Sequence, residues 1–307
     1  MKKGVLRKIH RLAERLPAKT DTKAPVLDQA TSAFRRLAAM SASPAGHSVC
    51  PILENHVEQM IAEALHRYGE EIDLVKWWAR LRRDQSFFPD TGMYDWIQAQ
   101  ILYLLIRLRK PESLVEISPN YGYSTGFMLL AMNKNDRGQL YSFDLNAQFH
   151  RHALRNFAKV GIDASRQRFF AGDVRVDCYH SLPPTIDLLF MDPDHSDTFA
   201  EWYPDDLRPR IAANGLLHVH DVLRYGVKPN LGDEGEGLVL WQFIQEQHIP
   251  ETNFMYVGEF VRAQPTRPEI LRRLARYPFG ETRIGTDGIE QNASLWLIRR
   301  PDHAPDG

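Results

Sequence analysis

Leu114-Val-Glu-Ile117-Ser-Pro-Asn-Tyr-Gly122-Tyr-Ser-Thr-Gly-Phe127-Met-Leu-Leu-Ala131-Met, followed by Gln139-Leu-Tyr-Ser-Phe-Asp144, is the stretch that decides the fold. Leu114 to Ile117 is a short apolar run of the kind a buried parallel strand gives. Small and kinked residues follow from Ser118 to Gly122, and from Tyr123 the spacing turns helical, with Phe127, Leu130 and Ala131 on one face. A second strand then ends in Asp144. In an open parallel sheet, ligands bind at the carboxyl ends of the strands, so the turn and the acid face one crevice.

That crevice suits a nucleoside. The turn lets backbone N–H groups approach a ligand, and the start of the helix favours a negative group. Asp144 has the geometry to accept both hydroxyls of a ribose. The spacing G-x-G-x-x-G is not present, so a dinucleotide pyrophosphate is a poor fit. The segment Glu116-Ile-Ser118-Pro-Asn120-Tyr121-Gly122 resembles motif I of class I S-adenosylmethionine-dependent methyltransferases, acid-x-Gly-x-Gly-x-Gly, with the last glycine kept. Ser118 is small, and Asn120 tolerates unusual backbone angles better than most residues. Gly122-Tyr-Ser124-Thr matches the variant in small-molecule O-methyltransferases. The resemblance implies S-adenosylmethionine binding through Glu116, Ser118, Asn120, Tyr121, Gly122, Ser124 and Asp144.

Working outward, strands and helices alternate from Leu114 onward. Apparent strands are 114–117, 139–144, 167–171, 186–191, 215–220, 253–258 and 293–299, and helices lie near 123–133, 147–160, 197–212, 235–248 and 267–276. The expected fold is α/β, a Rossmann-like, doubly wound, seven-stranded and mostly parallel sheet with helices on both faces, plus an α-helical N-terminal extension. The resemblance adds that the final strand inserts antiparallel. The chain divides into a basic helix and linker (1–48), a helical cap region (49–110), the methyltransferase domain (111–300) and a tail (301–307).

Residues 4 to about 16 read as a basic amphipathic helix, with Val5, Leu6, Ile9, Leu12 and Leu16 on one side, and residues 2–16 carry six bases against Glu14. It serves either as a dock for an anionic membrane surface or partner subunit, or as a packing element on its own domain or a second copy. Residues 50 to 109 read as helical, and Tyr94 to Leu108 is apolar enough to be a buried helix feeding the first strand. Between helices, Phe87 to Met93 breaks the pattern; it is either a plain loop or, as in related methyltransferases, a cover over the cofactor.

With a net charge of -1, the molecule as a whole is no electrostatic trap for nucleic acid. The two cysteines, Cys50 and Cys178, have no metal or redox spacing, which points to a reducing, cytoplasmic setting. No apolar run approaches the ~18 residues of a membrane span, and the first residues lack the apolar core of a signal peptide.

The remaining chemistry lies at three strand ends. Asp173 and Val174 follow the third strand, where the family holds adenine; Asp173 either accepts from its exocyclic amine or caps the next turn. The fourth strand runs into Asp192-Pro-Asp194-His195-Ser-Asp197, a crowd of charges that folding alone does not require. The fifth ends His218-Val-His220-Asp221; alternation puts both histidines on one face, His218 deeper and read as packed core. The resemblance, to sugar and catechol-type O-methyltransferases, implies a magnesium or manganese site at Asp192, His220 and Asp221, with Asp192 also beside the cofactor. It places a base at Asp194 and His195. In a metal-free version His220 is the base. The glycine-rich run from Arg224 to Gly237 either shapes the acceptor pocket or is a surface loop.

These residues point to methyl transfer onto a hydroxyl of a small metabolite or a sugar or glycan. The alternatives are N-methylation of a small amine and a degenerate module of the same fold acting as a subunit.

Overall fold

The structure, a computed structural model, describes residues 57–82, 84–89, 94, 96–223, 236–249, 254–256 and 293–300. The basic helix 1–16, the linker to residue 48, Cys50, residues 90–93, most of the 224–237 run, the helix near 267–276 and the tail lie outside the described residues.

Three helices lead into the sheet: Val57–Tyr68 (α1), Glu71–Leu81 (α2) and Trp96–Arg109 (α3). α3 is apolar all round, and every residue from Trp96 to Arg107 is buried, as its composition demands. Strands and helices then alternate: Ser113–Ile117 (β1), Tyr123–Asn135 (α4), Gln139–Asp144 (β2), Ala147–Val160 (α5), Gln167–Ala171 (β3), Ile186–Met191 (β4), Asp197–Asp206 (α6), Ile211–Leu223 (β5), Glu236–Glu246 (α7), Phe254–Tyr256 (β6) and Ala293–Ile298 (β7).

The sheet has seven strands in the order β3-β2-β1-β4-β5-β7-β6. β1 to β5 are parallel, and β7 runs antiparallel between β5 and β6. Alternate residues of each strand feed opposite faces. Leu114, Leu188, Phe190 and Leu216 join one core with α1 to α5, so the N-terminal helices and that face share one apolar interior. Val115, Ile117, Leu189, Met191 and Val219 join the other, beneath α6 and α7.

One boundary differs from the sequence expectation. The helix expected over 197–212 ends at Asp206, and Arg208–Arg210 forms a single 3-10 turn. Pro209 has no N–H to continue the helix. β5 accordingly starts at Ile211, four residues early, with a register shift against β4 between Ile186 and Leu188.

Candidate active site

The turn after β1 is built from left-handed residues. Ser118 has φ +65°, Asn120 +49° and Gly122 +84°, the three positions where the motif carries glycine. A left-handed non-glycine residue costs roughly 1–2 kcal/mol, which the surrounding packing must offset. Gly122 is required for space as well, since a Cβ there would lie 2.6 Å from the Ala153 Cβ. Gly122 N donates to Pro119 O at 2.9 Å and Ser118 N to Phe143 O at 2.8 Å, closing the turn over β2.

Above this turn lies a cleft of about 430 Å³, counting space open to solvent. It is lined by Ser118 to Tyr121, Tyr123 and Ser124 of the turn and α4, by Arg82, Phe88 and Tyr94, and by Asp192. The described ends of the segment expected to cover the cofactor, Phe88 and Tyr94, thus face the turn. His152 and Asn156 of α5 tie the Phe87 carbonyl down, each at 2.7 Å.

Asp144 caps β2 beside the cleft. It accepts the Asn120 N–H at 3.1 Å and the Asn146 N–H at 2.8 Å, and burial pushes its carboxyl up. Leu145, next in the chain, is 77% exposed, an apolar surface beside Asp144 that sequence reasoning missed. Its only signal was its place after the acid. The Asn120 Oδ1 is buried with no hydrogen-bond partner, and Asn120 is one of the residues lining the cleft.

Other residues expected at the cofactor sit differently. Glu116 does not face the crevice: it is wholly buried and accepts from Ser124 Oγ at 2.9 Å, Thr125 Oγ1 at 2.9 Å and Ser142 Oγ at 2.8 Å. It props the turn from below, and burial pushes its pKa up to about 7 despite those donors. Ser124 is thereby engaged with Glu116. Tyr121 lies against the rings of Phe149 and His152. Asp173 is held by Arg175, whose Nη2 is 2.8 Å from Oδ2, and those hydrogen bonds keep its carboxyl below the ordinary range. Val174 is 4% exposed and packs inward, not toward the crevice.

At the tips of β4 and β5 the acids and imidazoles do converge. His220 Nδ1 lies 2.9 Å from Asp192 Oδ1, and His195 Nε2 lies 3.4 Å from the same oxygen. His195 Nε2 is 3.8 Å from Asp221 Oδ2, and His195 Nδ1 is 2.9 Å from Glu236 Oε2 at the start of α7. His195 (φ +58°) and Asp221 (φ +50°) are both left-handed, which turns their side chains toward one another. Asp194 is not among them: it is exposed and accepts from Ser196 Oγ at 2.8 Å, beside the Ser196 cap of α6. His218 is core, with its Nε2 3.2 Å from the Tyr94 hydroxyl and its ring stacked on Trp296.

Electrostatics bind the group together. Burial alone would raise the Asp192 carboxyl, and the His220 and His195 imidazoles overcome it and hold it below the ordinary range. Burial alone would lower His195; its hydrogen bonds to Asp192 and Glu236 instead raise it to about 10. His220 is raised by the Asp192 and Asp221 charges against its own burial.

The donor set fits a divalent cation: one ligand atom each from Asp192, His195 and Asp221 lies within 4.8 Å of the others. The expected third ligand, His220, stands behind this set with its Nδ1 committed to Asp192. His195, at φ +58°, is the imidazole in that group.

Residues 115–222 match a protein family described as a methyltransferase domain. A curated relative from Mycobacterium avium (strain 104), provisionally named an O-methyltransferase, is 25% identical over 143 residues, which are 47% of this chain and 61% of that protein. The chain thus spans less than two thirds of that relative's length. Among solved structures, one from Klebsiella pneumoniae, also provisionally named an O-methyltransferase, is 22% identical, covering 81% of this chain and 92% of that one, with a TM-score of 0.45. The O-methyltransferase TomG from Streptomyces achromogenes is 15% identical, covering 87% and 98%, with a TM-score of 0.44. The match over residues 115–222 and the strand order agree on the fold of a methyltransferase domain.

Proposed function

We propose that the chain moves the methyl group of S-adenosylmethionine onto a hydroxyl oxygen of a small metabolite or sugar, with a divalent cation held by Asp192, His195 and Asp221. The observation that carries this reading is the double place of Asp192. It lines the cleft over the motif turn, and its Oδ1 belongs to the cluster at the tips of β4 and β5. Cofactor cleft and proton-handling groups therefore share a residue.

In this reading the turn residues and Asn120 Oδ1 receive the amino-acid portion of the cofactor, Asp144 its ribose hydroxyls and Leu145 a face of its purine. Asp192 sits where the methyl group would emerge. With His195 raised to about 10, its ring is a poor base at neutral pH. A divalent cation there would supply the positive charge that favours an ionised acceptor hydroxyl. The name of the Mycobacterium relative agrees with an oxygen acceptor, and the free thiol of Cys178 fits a reducing, cytoplasmic compartment.

Calorimetric titration with S-adenosylmethionine tests the cofactor half. Labelled cofactor with a panel of hydroxylated metabolites and sugars tests the transfer. The expected result is saturable binding, label in a base-stable ether, turnover lost to chelator and restored by manganese or magnesium. A folded protein that binds no cofactor would end this reading.

A further inference from the structure

Glu236 enters the site from a distance of 41 residues in sequence, at the far side of the 224–235 segment. It is the first residue of α7, and its side chain is only 1% exposed. A carboxylate in that setting needs a partner, and it has one: Oε2 lies 2.9 Å from His195 Nδ1. The same residue grips His195 a second time, its backbone N–H donating to the His195 carbonyl at 3.3 Å. Ring and backbone of a left-handed residue are therefore fixed together from α7.

The clamp decides which imidazole nitrogen is available. Nδ1 faces Glu236, so Nε2 is left to face Asp192 at 3.4 Å and Asp221 at 3.8 Å. A carboxylate that hydrogen-bonds the remote nitrogen orients the ring and makes it a stronger donor to metal. Imidazole suits zinc, iron, nickel and copper, whereas magnesium prefers oxygen throughout. A second polar atom points the same way: His220 Nε2 is buried without a hydrogen bond, 3.6 Å from Asp221 Oδ1.

We propose that Glu236 is the positioning residue that makes His195 a metal ligand, and that this pair biases the site toward a transition cation over magnesium. The inference deepens the metal half of the proposed function and rests on that half alone.

The test uses the full chain, freed of metal, titrated with Zn²⁺ or Mg²⁺ alone and separately with S-adenosylmethionine. The wild type should bind Zn²⁺ at least about tenfold more tightly than Mg²⁺. Glu236→Ala should weaken Zn²⁺ by about 10- to 100-fold and leave the cofactor dissociation constant unchanged. Glu236→Gln keeps an acceptor for Nδ1–H, so it should recover part of the loss, which a merely structural effect would not produce. Glu236→Gln also serves if the alanine variant does not fold. Unchanged Zn²⁺ affinity in either folded variant overturns the proposal, as does a wild type that holds Mg²⁺ as tightly as Zn²⁺. A wild type that binds cofactor but neither ion ends the proposal and the metal half of the function, and leaves methyl transfer standing.

Discussion

The Trp78 indole fills the space that Gly126 leaves: a Cβ on Gly126 would come within 2.3 Å of its ring. The same indole donates its Nε1–H to the Tyr123 carbonyl at 3.0 Å and meets Phe88 edge-on. It locks α2 onto the start of α4, and Tyr123 and Phe88 both line the cleft. Gly126→Ala should therefore cost about 1–3 kcal/mol by overpacking. Trp78→Ala should cost about 3–5 kcal/mol. Because the contact braces one wall of the cleft, Gly126→Ala should also weaken cofactor binding measurably in the folded protein. Denaturant melts read the first two effects and calorimetry the third; an unshifted midpoint for Gly126→Ala would mean that the helices separate freely.

Two acids that sequence patterning treats alike should behave differently. Asp144→Ala removes the proposed ribose acceptor and releases the Asn120 and Asn146 amides, so cofactor affinity should drop by about 10- to 150-fold, or roughly 1.5–3 kcal/mol. Asp173→Ala should change it by less than about fivefold, near 1 kcal/mol, because that carboxylate already holds Arg175. Equal losses in the two variants would mean that the Arg175 pair opens for the ligand.

Glu116 gives stability a pH dependence of known sign. Its folded pKa is raised to about 7 from 4.5, so the folded state holds the proton more tightly than the unfolded chain. Its contribution should fall as pH rises from 4.5 to 7, by up to about 3 kcal/mol. Glu116→Gln should remove that slope and be relatively more stable at pH 8 than at pH 5. Parallel stability curves for the two proteins would show that the three hydroxyls keep Glu116 ionised.

His195 acts in the same direction over a higher pH range. Its folded pKa, near 10 against 6.5, contributes stability in full below pH 6.5 that is lost as pH rises toward 10. Chelator-treated protein should lose thermal stability across that window more steeply than His195→Asn. Mn²⁺ should flatten the wild-type slope, since the bound ion takes over the charge that the proton supplied. Identical slopes with and without Mn²⁺ would place the ion elsewhere.

Periodicity carried the sheet well: the five parallel strands follow from short apolar runs, and the buried α3 from a helix with no polar face. The boundary at Asp206 was also written in the chain, as Pro209, but the apolar spacing around it masked the break. Side-chain direction was far less visible. Strand alternation grouped His218 with His220, yet what brings His195 to Asp192 and Asp221 is a pair of left-handed backbone angles that composition does not reveal. Glu116 reads as a cofactor acid until Ser124, Thr125 and Ser142 are seen beneath the turn. Glu236 had almost no signal: it sits in a glycine-rich acidic run that reads as loop, and only the apolar residues after it hint at a helix start.

The sheet order has a consequence for how the protein is made. β7, the last of the described strands to leave the ribosome, belongs between β5 and β6 rather than at an edge. Until Ala293–Ile298 emerges, β5 exposes an unpaired edge along Leu216 to Val219, His218 lacks the Trp296 ring that covers it, and β6 has nothing to pair with. Such an edge invites pairing with a neighbouring nascent chain. Translation stalled shortly before β7 would leave the cofactor turn formed and the strand carrying His220 and Asp221 open on one side. The hazard of misassembly during synthesis is thus concentrated on the strand that bears the site.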